Sequence, residues 1–211
     1  KLALDFGDST ISGITLSEPQ VLRYGENPHQ SATFYKTNNK VGTSLADANV
    51  LQGKALSYNN LLDADAAWKV CSDAFNSVDH MNQKYAVSVV KHLNPCGLAV
   101  ASNINEALDL AWKGDPVSAF GGIICFSHEV DETIANWFDK KFVEIIIAPS
   151  FTGEALNIFG QKKNLRLLQT ALNEPNASET VIRSISGGIL IQDEDTFIER
   201  EFQQRLASST E

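Results

Sequence analysis

The sequence predicts an α/β fold in which helices flank a mainly parallel sheet. Two observations carry that expectation. Short apolar runs, AVSVV at 86–90, IICF at 123–126 and IIIA at 145–148, alternate with segments of helical periodicity. Strands buried on both faces read as near-continuous apolar runs, and their alternation with helices is the pattern of a covered, largely parallel sheet. With 211 residues, 43% hydrophobic and 20% charged, the chain can bury one good core or two small ones.

In chain order, residues 1–20 mix Gly, Asp, Ser and Thr with short apolar stretches and read as a lead-in or linker. LRYGENPHQ at 22–30 reads as a turn fixed by its proline, and KTNNKVGTSLADAN at 36–49 as an exposed loop. Within LLDADAAWKVCSDAF, the residues Leu61, Leu62, Ala66, Val70 and Phe75 recur at helix-compatible spacings. The AVSVV strand then exits into KHLNPCG, where Asn94, Pro95 and Gly97 predict a turn. NEALDLAWKG reads as a helix, GGIICFS as a strand, and DETIANWFDKKF as a helix capped by Asp131. EIIIAPS, GEALNIFGQKK and LRLLQ repeat the alternation as strand, helix and strand, and SGGILIQDED is the last strand before a polar tail at 201–211.

Composition excludes several function classes. The 17 basic and 26 acidic residues give a formal charge of −9, which opposes broad attraction to nucleic acid or anionic membrane. No apolar run approaches the roughly 20 residues needed to cross a bilayer, so a cytoplasmic protein is expected. Cys71, Cys96 and Cys125 are far apart and form no C-x-x-C pair, which predicts reduced thiols and no metal centre. The chain begins with Lys1 and not Met, which suggests a piece of a longer polypeptide.

In open α/β sheets, ligands bind beyond the C-terminal ends of strands, which directs attention to Lys91 and His92 at the exit of AVSVV. A neutral histidine accepts a proton near physiological pH, and an adjacent ammonium disfavours its charged form. A surface Lys beside a partly buried His is the alternative reading of the same residues. Arg23 offers phosphate recognition, Tyr24 packing or a hydrogen bond, and His29 a side chain within the same turn. Gly121 allows close approach of a ligand to backbone or a simple bend. Asn60 can cap the following helix or touch a ligand, and Glu144 can accept hydrogen bonds from ribose hydroxyls or stay a solvated edge charge. HLNPCG fails as a zinc deaminase motif, because Asn94 stands where the catalytic Glu would be and no second cysteine follows Cys96.

Taken in order, LRYGENPHQ, LQGKALSYNNLLDADAA, VVKHLNPCG, DPVSAFGGII and FVEIIIAP closely resemble the bacterial AICAR transformylase/IMP cyclohydrolase family. The resemblance covers about residues 21–195 and implies a cytidine-deaminase-like fold without catalytic zinc. It assigns residues 21–200 to the first deaminase-like half of the transformylase domain. The implied reaction moves a formyl group from 10-formyltetrahydrofolate, a co-substrate, to the 5-amino group of AICAR in purine synthesis. His92 would accept the amine proton and Lys91 would stabilise the transition state. Arg23 and Tyr24 would hold the phosphate end, with Gly121, Glu144 and Asn60 as further substrate contacts and His29 and Asn94 in support. The intact family enzyme is expected to be a homodimer with IMP cyclohydrolase in a preceding domain. Neither that domain nor the second half is expected in this chain, so little turnover and no cyclohydrolase activity are expected of it alone. The rival expectation is a non-catalytic AICAR-binding or dimerisation module.

Overall fold

A computed structural model describes residues 2–4, 14–37, 42–77, 84–172 and 180–195. The chain divides into two units, residues 1–175 and 176–211. In the first unit, β1 (Leu2–Leu4), β2 (Ile14–Val21) and β3 (Thr33–Thr37) pair as an antiparallel sheet, so part of the segment read as a lead-in is strand. Then follow β4 (Asn49–Gln52), α1 (Tyr58–Ser77), β5 (Tyr85–Lys91), β6 (Asn94–Ala101), α2 (Ile104–Gly114), β7 (Ile123–Phe126), α3 (Glu132–Trp137), β8 (Ile145–Ala148), α4 (Gly153–Phe159) and β9 (Arg166–Gln169). The second unit contains an antiparallel hairpin of β10 (Thr180–Ile185) and β11 (Gly188–Asp193), so the last expected strand has a partner that sequence did not suggest. The polar tail at 201–211 lies outside the described residues.

The central sheet has six strands in the order β4-β9-β8-β7-β5-β6. It is mixed, which corrects the expectation of a mainly parallel sheet. Only β7 with β8 and β8 with β9 pair in parallel, while β4, β5 and β6 pair antiparallel to their neighbours. For β5 and β6 the cause lies in KHLNPCG. Its turn is His92–Leu93, not Asn94–Gly97, and β6 starts at once with Asn94. Two strands joined by two residues are necessarily antiparallel, whereas a parallel pair needs a crossover of a dozen or more. Helix α2 supplies such a crossover from β6 over β5 to β7, leaving β5 antiparallel between them.

The strands bury alternate residues on opposite faces, as their period of two requires. Val87, Val89, Ile124, Phe126, Ile146 and Leu167 pack with Leu108, Ile134 and Phe159 of α2, α3 and α4 and with Phe138, the residue after α3. Ala86, Val90, Ile123, Ile145, Ile147 and Leu168 pack instead on Ala64, Ala67, Trp68 and Cys71 of α1. The buried stripe of α1 is therefore mostly small residues, and Leu62 is exposed. Small side chains bring this helix close to the sheet. The loop expected at 36–49 also carries order: within its described residues, Leu45 is buried in a 3-10 turn and Asn49 opens β4.

Asp131 caps α3 as the sequence predicts, its carboxylate accepting from the Ile134 amide at 3.0 Å. Asp131→Ala is expected to lower stability by about 1 kcal/mol. An unchanged denaturant midpoint would show that solvent satisfies the amide equally well.

Candidate functional site

The strand ends decide where the candidate residues meet. Because β5 runs against β7, its C-terminal end lies at the same sheet edge as the N-terminal ends of β7, β8 and β9, with Val90 opposite Ile123, Ile123 opposite Ile145 and Ile145 opposite Arg166. Lys91, the Gly121–Gly122 pair, Glu144 and Arg166 all stand on this edge. This end of the sheet is the C-terminal end of β5 and the N-terminal end of the parallel strands β7, β8 and β9. The mixed sheet is what brings Lys91 to the same end as Gly121, Glu144 and Arg166.

One cluster forms around the β5–β6 turn. His92 and Leu93 have φ of 53° and 64°, the left-handed region twice in succession. Such values belong to a type I′ turn, which ordinarily takes Asn-Gly, and cost non-glycine residues roughly 1–2 kcal/mol each. The turn is held from both sides. Asp63 of α1 accepts from the Leu93 amide at 2.8 Å and more weakly from the His92 amide at 3.4 Å. Asn94 donates from Nδ2 to the His92 carbonyl at 2.7 Å. Lys91 Nζ donates to the Phe120 carbonyl at 2.8 Å, which ties the ammonium to the residue before Gly121. A cleft of about 400 Å³ opens beside Lys91, His92 and Asn94, with Asp115 and Ser118 on its other wall. Hydrogen bonds from the Ser118 hydroxyl and amide hold the Asp115 carboxyl below the usual carboxylate range.

A second cluster joins Arg23, Tyr24, Asn60, Glu144 and Arg166. Arg23 donates to the Tyr24 hydroxyl at 2.6 Å and lies over the Tyr24 ring. Asn60 Nδ2 donates to Glu144 Oε2 at 3.1 Å, while its Oδ1 accepts from the Ser57 amide and its own amide donates to Ser57 Oγ. Ser57 is thus the capping residue of α1, and Asn60 closes the reciprocal pair from within the first turn while also reaching Glu144. Arg166 is buried, donates from Nε to the Lys54 carbonyl at 3.1 Å, and approaches Glu144 Oε2 at 4.0 Å. Burial lowers its pKa, an effect that Glu144 opposes and Arg23 reinforces.

Helix α1 links the clusters. Asn60 and Asp63 are three residues apart, hence neighbours on one face, and one reaches Glu144 while the other reaches the His92 turn. The start of α1 is itself docked on the RYGENPHQ loop through Tyr58 N–H to the Tyr24 carbonyl and Asn59 Nδ2 to the Glu26 carbonyl. His29 is exposed on that loop. Gly121 has φ of 74° and donates to the Phe142 carbonyl at 2.9 Å, a left-handed bend that lets the chain turn into β7 beside Lys91.

Sequence reasoning missed Asp63 and Arg166. The signal for Asp63 was its spacing from Asn60 on a helix already expected. For Arg166 it was a charge opening an apolar strand, the same pattern that singled out Glu144. Among the described residues, no three His, Cys, Asp or Glu side chains cluster as metal ligands would, and no helix is long and apolar enough to cross a membrane.

Comparison with known proteins adds the family. The model of the AICARFT/IMPCHase bienzyme matches residues 5–211. The bifunctional purine biosynthesis protein PurH of Halalkalibacterium halodurans is 48% identical over 198 residues, covering 94% of this chain and 37% of its own length. The PurH of Bacillus cytotoxicus is 47% identical over 183 residues, covering 87% of this chain and 34% of its own. The chain thus spans about a third of the length of these curated relatives. The matched span contains every residue of both clusters, and with a family model matching residues 5–211 the chain belongs to the AICARFT/IMPCHase bienzyme family.

Proposed function

We propose that this chain carries the AICAR-binding and proton-accepting part of an AICAR transformylase site, which transfers a formyl group from 10-formyltetrahydrofolate. The observation that carries the reading is the single sheet edge on which α1 joins the Lys91–His92 turn to Arg23, Tyr24, Asn60 and Glu144. An acid–base pair beside a polar pocket fits a reaction that must bind an anionic ribonucleotide and remove a proton from it.

The AICAR amine is conjugated with the imidazole ring and is a weak nucleophile, so its attack on the formyl carbon must be coupled to proton removal. His92 takes that proton on its imidazole. Attack places negative charge on the formyl oxygen, and the Lys91 ammonium stabilises it more than the neutral ground state. Collapse restores the carbonyl, breaks the bond to the folate N10 and leaves a formamide on AICAR and tetrahydrofolate, whose nitrogen takes up a proton. Arg23 with Tyr24 would hold the phosphate, and Glu144, aligned by Asn60, the ribose, while Gly121 offers backbone. No metal enters these steps. In this reading the active enzyme is a cytoplasmic homodimer with a cytidine-deaminase-like transformylase fold, and IMP cyclohydrolase resides in another domain.

Lys91→Met in the complete natural protein tests the reading directly. Formyl transfer at saturating substrates is expected to fall about 10- to 100-fold while AICAR affinity by calorimetry changes less than about threefold, because the contribution is made chiefly in the transition state. Unchanged kcat, or a loss confined to AICAR affinity, would remove Lys91 from the chemistry.

A further inference from the structure

We infer that Asp63 is the positioning residue of the site, acting through the β5–β6 turn to keep His92 in the backbone conformation from which its imidazole works; this rests on the transformylase reading above. Turn strain is the starting point. His92 and Leu93 occupy left-handed backbone that neither side chain favours, with φ of 53° and 64°. Strain of this kind persists only where the surroundings over-determine it.

Two polar groups do so here. Asp63 accepts the amide protons of both turn residues on its two oxygens, at 2.8 Å from Leu93 and 3.4 Å from His92. Asn94 takes the opposite side of the same peptide by donating to the His92 carbonyl. Bonds from backbone N–H to an ionised carboxylate are about twice as strong as neutral ones. Asp63 also comes from a different element than the turn it holds, so it sets the turn against α1 and therefore against Asn60 on the same helix face and, through the Asn60 hydrogen bond, against Glu144. Hairpin geometry alone needs no such bond, since a glycine in the turn would relieve the strain locally. Retention of His92 there requires an external anchor, and Asp63 is that anchor.

The test is a double-mutant cycle in the complete natural protein, with Asp63→Ala, Asp63→Asn and His92→Ala made singly and in combination. Displacing a reacting group by about 1 Å can cost 10²-fold, so Asp63→Ala is expected to lower kcat about 10- to 100-fold with AICAR affinity within about threefold of wild type. Asp63→Asn keeps one acceptor for Leu93 and is expected to lose less. In the His92→Ala background, Asp63→Ala should lower the residual rate by less than about threefold, because a residue acting only through His92 has nothing left to position. Equal losses in both backgrounds, or a loss explained by weakened AICAR binding, would overturn the inference. Should Asp63→Ala unfold below the assay temperature, Asp63→Asn decides by the same comparison. If His92→Ala itself retains normal turnover, the catalytic reading fails; if it abolishes turnover while the Asp63 variants match wild type, only the role of Asp63 fails.

Discussion

His92→Ala in the complete natural protein is expected to lower kcat for formyl transfer by roughly 10²- to 10⁴-fold, the span typical of a positioned general base. AICAR binding should survive nearly intact. The side chains proposed to hold the ribonucleotide, Arg23, Tyr24 and Glu144, belong to the second cluster and make their hydrogen bonds independently of the imidazole. Alanine leaves the turn in the same conformation, since the cost of left-handed backbone comes from Cβ and does not depend on an imidazole being present, so the Asp63 and Asn94 bonds to backbone can persist. Single-turnover formyl transfer alongside calorimetric AICAR titration separates the two effects. Near-normal transfer would remove His92 from the reaction, and a parallel collapse of binding would make it a substrate contact.

Such a separation was only partly legible beforehand. Apolar runs marked the buried strands well, because Ile145, Ile146, Ile147 and Ala148 are all buried in a strand covered on both sides. They do not encode direction. The antiparallel β5–β6 pair comes from a two-residue turn at His92–Leu93, and nothing in the identity of those residues advertises positive φ, which sequence reasoning looks for at Gly and Asn. The neighbouring Asn94, Pro95 and Gly97 drew the turn prediction while in fact opening β6. Proline is tolerated there because β6 lies at the sheet edge and Pro95 is near the start of the strand.

The site shows the same division. Lys91, His92, Asn60 and Glu144 are visible as residue types suited to the chemistry, but their assembly depends on strands 30 and more residues apart meeting at one edge. Asp63 and Arg166 belong to that assembly and carry no local mark beyond a charge on an expected element. Asp63 becomes meaningful only once the turn opposite is known to be strained. Arg166 does so only once its guanidinium is seen buried against the Lys54 carbonyl and beside Glu144.

Gly97 illustrates how far the turn reading misplaced the physics, and Gly97→Ala is expected to be among the most destabilising single changes in the first unit. A Cβ at this position would lie 1.8 Å from the Ala111 carbonyl oxygen and 2.8 Å from its carbon, both backbone atoms of α2. No rotamer relieves that contact, so the helix must move away from β6. Ala107, Leu108 and Ala111 of α2 are buried against Val87 and Val89, and their withdrawal would open the larger core cluster. Forced overpacking costs about 1–3 kcal/mol where side chains can yield, and a backbone collision should reach the upper end or exceed it. Gly153 provides the control, since a Cβ there meets nothing within 4 Å and Gly153→Ala should stay within about 0.5 kcal/mol of wild type or stabilise α4. Catalysis should suffer with stability at Gly97. The register between β5 and β6 shifts beside it, with Gly97 opposite Val89 and Pro95 opposite Val90, so that Cys96 is the extra residue of a bulge. Displacing this bulge moves Pro95 and Cys96, which line the same cleft as Lys91 and His92. Urea denaturation of the two alanine variants, read with kcat, measures both consequences. Equal midpoints would show that α2 and β6 accommodate a methyl group, and that the close approach of this helix is not what holds the wall of the site.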